Sequence, residues 1–336
     1  MPRPSQALHA AHRAPPRPPR GRHPRRPLGR TTLALAKGRF AATVLLAGLL
    51  AGCAHLGTPP GWDAVVLETA SLADPLAWRG GDGLPDRNVV LAGQLVVHAD
   101  FPLAGQHRLI RDLETLRTDV SQTLSLPVSD EPVHLYLFGE PRRYDEFAAR
   151  RFPNFPVRRA FFVETDTTLS VFAPWQDRIA EDLRHETTHG YVHAVVPTIP
   201  LWLDEGIAEY FELPRGDQGV HREHVAHLTG RLLEGTWQID LARLETLTSP
   251  GEMSQDHYAE AWCWVHWMLH STPERRRLLQ DYLTDLRRDG ATAPLAARLT
   301  HVEGSPLVCA AAVRRHLETL AGDQRVAGGA PAAASP

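Results

Sequence analysis

Five consecutive residues, His185-Glu186-Thr187-Thr188-His189, have the types and spacing of a metal-dependent hydrolytic site. On an α-helix, residues four positions apart lie on one face, so the two imidazoles can bind a single ion. Glu186 follows His185 by about 100° around the helix, because one turn contains about 3.6 residues. It would lie beside the ion, where a general base for water is needed. The spacing predicts a Zn²⁺ site with one ion per chain.

The surrounding segment, Asp177 to Ala194, is predicted to be a helix, because small and apolar residues recur there at helical spacing. This core-facing stripe consists of Ile179, Ala180, Leu183, Gly190 and Ala194. Pro197 and Pro200 end the helix, and a second short helix is expected over residues 202–212. A tight turn between the two helices would pack the second helix against the first. The alternative is a surface helix with two solvated histidines.

A third ligand is needed, because catalytic zinc commonly has three protein ligands and a water. The second helix offers Glu205, sixteen positions after His189, and Glu209, one turn later on the same face. The spacing alone leaves both acids open. His193 is not a candidate, because it lies about 12 Å along the helix axis from His185. We expect His193 in the wall of the site or on the surface.

HETTH and the later LWLDEGIAEYFE together resemble the gluzincin metallopeptidases, especially the peptidase MA-like group, and are distantly similar to thermolysin and the gluzincin aminopeptidases. The resemblance implies that Glu205 is the third zinc ligand. It implies that Glu209 orients the first metal histidine, His185, as carboxylates behind metal ligands do. It also implies peptide-bond hydrolysis by metal-activated water, with Glu186 as the general base and a peptide or protein as the substrate.

The same resemblance implies a donor for the oxyanion, which gluzincins take from a Tyr or His downstream of the third ligand. A helix is predicted over residues 256–270, with Tyr258 as the candidate donor and His257 as the substitute. Alternatively, Tyr258 is one member of a buried stripe at helical spacing. That stripe continues with Trp262, Val265 and Leu269.

The remaining pattern predicts an α+β fold: a gluzincin-like catalytic domain with a small sheet lobe that includes the zinc helix, followed by a mostly helical lobe. Strands are expected over residues 94–99 and 132–138, and a hairpin over 159–173. The remaining helices are expected over residues 105–124, 142–151, 219–234, 273–287 and 305–320. By the resemblance, Thr168–Ala173 is the edge strand along which an extended substrate pairs. An ordinary sheet strand is the alternative.

A second histidine series, His221, His224 and His227, recurs every three residues, which suits one side of a helix. The spacing favours a solvated polar face, and a second metal site is the alternative.

Residues 1–52 are predicted to be a lipoprotein signal peptide outside the fold. They contain nine Arg, one Lys and no acidic residue, and Phe40–Ala51 is an apolar run about half the length that spans a bilayer. Leu50-Ala51-Gly52-Cys53 resembles a bacterial lipobox, in which cleavage leaves a lipidated Cys53. A transmembrane anchor and a secretory signal are the alternatives. The expected location is the bacterial cell envelope, with Cys53 anchored in the lipid bilayer of the outer membrane, facing the periplasm.

Residues 53–92 are expected to be a tether with an irregular lead-in, residues 93–321 the zinc peptidase domain, and residues 322–336 a disordered tail. Loss of residues 1–52 changes the net charge from −3 to −13, because they hold ten basic residues. A chain with this excess of negative charge is not expected to bind nucleic acid, because binding depends mainly on contacts between basic residues and phosphates.

In an oxidising compartment, Cys263 and Cys309 either form a disulfide or remain buried thiols.

Two further functions stay open: a non-catalytic gluzincin-fold lipoprotein for binding or assembly, and a zinc amidase that acts on cell-wall peptides. The sequence predicts neither the cleavage specificity nor the oligomeric state.

Overall fold

A computed structural model of the chain describes residues 83–153 and 158–328. The predicted signal peptide, Cys53 and most of the predicted tether lie outside these ranges. Within them the fold is α+β, with a five-stranded sheet and ten α-helices. The strands are β1 (Asn88–Ala92), β2 (Leu95–Ala99), β3 (Val133–Phe138), β4 (Phe161–Thr165) and β5 (Thr168–Pro174). The helices are α1 (Arg108–Leu124), α2 (Pro141–Arg151), α3 (Ile179–His193), α4 (Leu201–Phe211), α5 (Arg222–Leu233), α6 (Leu241–Leu244), α7 (Gln255–His270), α8 (Pro273–Asp289), α9 (Leu295–Glu303) and α10 (Pro306–Gly328). No helix of the described ranges has the length and apolar character needed to cross a bilayer.

The strand order in the sheet is β1-β2-β3-β5-β4. The three inner strands are parallel, and β1 and β4 are antiparallel additions at the two edges. The predicted hairpin of β4 and β5 is confirmed. The prediction that Thr168–Ala173 forms the edge is wrong, because β5 is hydrogen-bonded to β3 on one side and to β4 on the other. The edge strand is β4, which among the described strands pairs only with β5.

The two faces of the sheet pack differently, because side chains alternate along each strand. On one face, Val133, Leu135 and Leu137 of β3 are buried in the main core, against which α1 and α3 pack. The opposite face carries a smaller, mostly aromatic cluster that includes residues of α2. Its members are Phe138, Tyr144, Phe147, Phe152, Phe161, Val163 and Phe172. Helix α3 thus has the sheet on one side and α4 on the other.

Two glycines allow the helices of this region to approach their neighbours closely. A Cβ at Gly190 on α3 would lie 2.7 Å from a methyl carbon of Val133 on β3. A Cβ at Gly206 on α4 would lie 2.7 Å from the carbonyl oxygen of Ala261 on α7. Both distances are shorter than van der Waals contact, so only glycine permits these separations. Gly206 follows Glu205 directly, and its packing on α7 therefore fixes the position of that acid.

The structure differs from the sequence prediction at both ends of the domain. Strand β1 lies in the segment predicted to be an irregular lead-in, and α6 and α9 were not anticipated. The tail predicted to be disordered from Gly322 is helical as far as Gly328. No proline follows Pro306 until residue 331, so nothing of that kind interrupts α10 before Gly328.

The two cysteines of the described ranges, Cys263 on α7 and Cys309 on α10, are free thiols. Both are buried in the main apolar core, where each packs as a small hydrophobic residue. The disulfide that the sequence left open is therefore not formed.

Gly206→Ala should lower the free energy of unfolding by about 1–3 kcal/mol, the usual effect of forcing an extra methyl group into a packed core. Gly230→Ala on α5 is the matched control, because a Cβ there meets no atom within 4 Å. That substitution should stabilise the protein by about 0.5–1 kcal/mol through helix propensity alone. Urea unfolding of the two variants measures both effects. Equal stabilisation by both alanines would contradict the close packing of α4 on α7.

Candidate metal centre

Helix α3 presents His185, Glu186 and His189 from a buried surface, and no more than 4% of any of these residues is exposed. The imidazole ring centroids of His185 and His189 are 5.0 Å apart, as expected for side chains one helical turn apart. The predicted helix is confirmed, beginning at Ile179 and ending at His193. The alternative of a solvated surface helix is excluded by the burial.

Glu205 on α4 brings a carboxylate to the two imidazoles. Its Oε2 atom lies 3.6 Å from His185 Nε2 and 3.7 Å from His189 Nε2. These distances are too long for hydrogen bonds. Both nitrogens and both carboxylate oxygens of Glu205 are buried without a hydrogen-bond partner in the described part of the chain. An unpaired buried polar group costs about 1–3 kcal/mol. The three side chains could hold a metal ion, which would satisfy the two nitrogens and the carboxylate together.

Glu212, just after α4, is the carboxylate that orients His185. Its Oε2 atom accepts a hydrogen bond from His185 Nδ1 at 2.9 Å. Burial alone would raise the pKa of Glu212, but the hydrogen bonds from His185 and His221 lower it to about 2. The resemblance had implied Glu209 for this role, and that prediction is wrong. Glu209 accepts instead from His224 Nε2 on α5, at 2.8 Å.

Asp204 and His193 form a second hydrogen-bonded chain behind the site. Asp204 Oδ2 lies 2.9 Å from His189 Nδ1 and 3.1 Å from His193 Nε2, and His193 Nδ1 lies 2.7 Å from Glu164 Oε2 on β4. Burial would lower the pKa of His193, but Asp204 and Glu164 raise it to about 10. His193, expected in the wall or on the surface, is therefore a buried cation that links the edge strand to the site.

His221 and His224 are buried, and their rings stack with centroids 3.7 Å apart. The predicted solvated polar face is therefore wrong for these two residues. Only His227 is partly exposed to solvent, as that prediction requires, and its Nε2 atom lies 2.6 Å from Asp256 Oδ1. The packing of α5 on α7 turns the first two histidines inward. With Glu209 they form a second group that could hold a metal ion.

Glu186 is buried directly beside the three converging side chains, and its Oε2 atom has no hydrogen-bond partner within the described residues. Burial raises the pKa of this carboxyl group to about 7, although the neighbouring imidazoles of His185 and His189 oppose the shift. A carboxyl group that titrates near neutrality can both accept a proton and return it.

Tyr258 on α7 is also buried, and its hydroxyl has no hydrogen-bond partner within the described residues. Burial raises the pKa of this phenol, and the negative charge of Glu205 raises it further, so the hydroxyl remains protonated at neutral pH. The substitute candidate, His257, lies at the start of α7, where both of its ring nitrogens have other partners. Its Nδ1 atom accepts from the backbone N–H of Ser254 at the start of α7, and its Nε2 atom lies 3.1 Å from Arg243.

Arg158, which precedes β4, is a nearby residue that the sequence did not single out. Burial lowers the pKa of its guanidinium, and the nearby carboxylates of Glu186 and Glu205 oppose that shift. It belongs to no recognisable motif. The role of Glu212 did leave a signal, because it lies seven positions after Glu205 and returns to nearly the same helix face.

A cavity of about 740 Å³ lies elsewhere, lined by residues of α6, α9 and α10 and by Trp264. It contains none of the histidines or carboxylates of the candidate metal centre. The candidate metal centre is therefore identified by its buried, unpaired polar atoms and not by the size of this cavity.

His193→Gln should remove one source of pH-dependent stability. The folded-state pKa of about 10 lies above the ordinary value of 6.5, so the protonated imidazole stabilises the fold fully below pH 6.5. That stabilisation is lost as the pH rises toward 10. Wild-type stability should therefore fall more steeply between pH 7 and 10 than that of His193→Gln. Urea unfolding of metal-free protein at several pH values measures the slopes, with the surface variant His301→Gln as the control. Parallel slopes would contradict the doubly paired imidazolium.

Comparison of the chain with models of known protein families finds no matching family, and comparison with curated proteins finds no significant match. Function must therefore be inferred from the geometry of the buried histidines and carboxylates. Three side chains converge with unpaired atoms that could bind a metal ion. Behind them, His185 is hydrogen-bonded to Glu212, and Asp204 lies 2.9 Å from His189 Nδ1.

Proposed function

We propose that the protein is a zinc-dependent metallopeptidase with a gluzincin-like site, anchored by lipid at a bacterial cell envelope. One observation supports this most: His185 Nε2, His189 Nε2 and the Glu205 carboxylate converge, buried and without hydrogen-bond partners in the described residues. Two imidazoles and one carboxylate are a ligand set of hydrolytic zinc sites, which keep one position for water. The envelope location rests on the lipobox-like segment at Cys53.

In the proposed reaction, His185, His189 and Glu205 hold the cation. When bound, Zn²⁺ would act as a Lewis acid that lowers the pKa of a water and polarises a carbonyl group. Glu186 takes a proton from the attacking water through its unpaired carboxylate oxygen. It then gives that proton to the nitrogen of the leaving amine, so that the peptide C–N bond can break.

Two further side chains suit the charge that develops on the carbonyl oxygen. The Tyr258 hydroxyl is protonated and unpaired, so it can donate a hydrogen bond to an oxyanion. Arg158 adds a positive charge near the site, because the carboxylates of Glu186 and Glu205 act on the pKa of its guanidinium. Behind the ligands, Glu212 bonds the Nδ1 atom of His185, and Asp204 lies 2.9 Å from that of His189. Such carboxylates orient a metal-binding imidazole and raise its basicity.

Glu186→Gln should retain one zinc per chain but lower kcat at least 100-fold, the lower end of the usual effect of losing a general base. Zinc content and cleavage of a peptide library by the purified protein measure the two properties. Glu181→Gln is the matched control, because Glu181 lies on the same helix but pairs with Arg178 away from the ligands. It should keep both zinc and activity.

An active Glu186→Gln variant would overturn the proposed mechanism. A wild-type protein that binds zinc but cleaves no peptide would point to a binding lipoprotein, and cleavage restricted to purified muropeptides would point to a cell-wall amidase.

Glu205→Gln should abolish zinc-dependent stabilisation, whereas Glu209→Gln should retain it. A ligand at 100 times its Kd stabilises the folded state by about 2.7 kcal/mol, so the wild-type Tm should rise by several degrees with zinc and fall with a chelator. Thermal unfolding with and without Zn²⁺ compares the variants. The opposite result would place Glu209, rather than Glu205, on the metal.

A further inference from the structure

His221 occupies the position before α5, and each of its ring nitrogens has a separate partner. Its Nδ1 atom accepts a hydrogen bond from the backbone N–H of His224 at 3.3 Å and so caps the helix. A ring nitrogen that accepts a hydrogen bond carries no proton, so in this ring the proton is on Nε2. Nε2 lies 2.9 Å from Glu212 Oε1. The imidazole N–H therefore donates to the carboxylate.

Glu212 extends this chain to the candidate metal centre. While Oε1 accepts from His221, Oε2 accepts from His185 Nδ1 at 2.9 Å. His185 Nδ1 therefore carries a proton, and Nε2 is left as the nitrogen that can offer a lone pair to a cation. That atom lies 3.6 Å from Glu205 and is buried without a hydrogen-bond partner in the described residues. All three side chains of the chain are buried, so solvent does not compete for these bonds.

We propose that His221 is a positioning residue for the metal centre. By donating to Glu212, it holds that carboxylate on His185, so that His185 presents Nε2 to the cation. The inference rests on the proposed zinc site. It gives one side chain two separable tasks: its Nδ1 atom starts α5, and its Nε2 atom orients a metal ligand two hydrogen bonds away.

The competing possibility is that His221 is itself a ligand in a second metal site with Glu209 and His224. Two observations favour the positioning role. His221 Nε2 carries the proton that a metal ion would have to replace. In addition, His224 Nε2 lies 2.8 Å from Glu209 Oε2, which is a normal hydrogen bond. At the first site the corresponding separations are 3.6 and 3.7 Å.

Two substitutions separate the two tasks. In His221→Asn the side-chain oxygen takes the place of Nδ1, so the cap is kept, but no donor reaches Glu212. In His221→Gln the terminal amide takes the place of Nε2, so the donor is kept and the cap is weakened. We expect His221→Asn to bind zinc about 10–100-fold more weakly, as loss of a supporting hydrogen bond behind a ligand typically does. Its metal-free Tm should also fall, because Glu212 Oε1 loses its buried donor, so the zinc Kd rather than the Tm separates this variant from His221→Gln. We expect His221→Gln to bind zinc nearly as tightly as wild type, with a lower metal-free Tm.

The zinc Kd is measured by competition with a chromogenic chelator, alongside zinc content per chain and thermal unfolding of the metal-free protein. His227→Asn is the matched control, because it breaks a histidine–carboxylate bond on the same helix, to Asp256, away from Glu212. It should leave the zinc Kd unchanged. If His221→Asn does not fold, His221→Ser replaces it, since serine also caps a helix and is too short to reach Glu212.

Wild-type zinc affinity in His221→Asn, or a greater loss in His221→Gln, would overturn the positioning role. Two zinc ions per wild-type chain and one in His221→Asn would also overturn it, in favour of a second metal site. Absence of zinc from the wild-type protein would instead remove the proposed function itself, so the two failures are distinguishable.

Discussion

Pairing of the buried imidazoles of the candidate metal centre with carboxylates is the interaction on which the rest of the site depends. His185, His189, His193, His221 and His224 are each no more than 5% exposed, and each has a ring nitrogen within 3.1 Å of a carboxylate oxygen. Burying an unpaired charge costs several kcal/mol, and only close, well-oriented partners offset that cost. Because the partners come from different elements, α3, α4, α5 and β4 cannot shift independently. The pairs that make this burial tolerable also orient the rings of His185 and His189.

The sequence predicted the parts of the site that depend on local periodicity. The face of α3, the acids of α4 and the β4–β5 hairpin follow from residue spacing, which the backbone geometry of helices and strands imposes. Prediction from the sequence failed where the result depends on how strands and helices are arranged in space. The sequence predicts Thr168–Ala173 at the edge because it is the last strand before α3, yet in the structure β5 pairs with β3 as well as with β4. β1 was not predicted. It lies at the edge of the sheet, where Val89 and Leu91 are 55% and 76% exposed, so the strand contributes little to the core.

The choice between Glu209 and Glu212 shows the same limit at the level of single side chains. Both acids lie on the face of α4 that begins with Glu205, and helical geometry alone gives each access to a histidine. The position of α5 determines which histidine each acid contacts, because it brings His224 to Glu209 and His221 to Glu212. Histidines at three-residue spacing suggest a polar surface, because charged groups are rarely buried. That expectation fails here because the opposing helix supplies acids at matching positions.

Gly190 and Gly206 contact none of the converging ligand atoms, yet they determine how deeply α3 and α4 sit against β3 and α7. The distance between the imidazoles and the carboxylate therefore depends on these two glycines, which lie where each helix packs on its neighbour and not among the converging side chains. In the proposed site, ion preference would then depend on more than the three side chains that would hold the cation. It can be retuned through the packing layer behind them, while the coordinating residues stay the same.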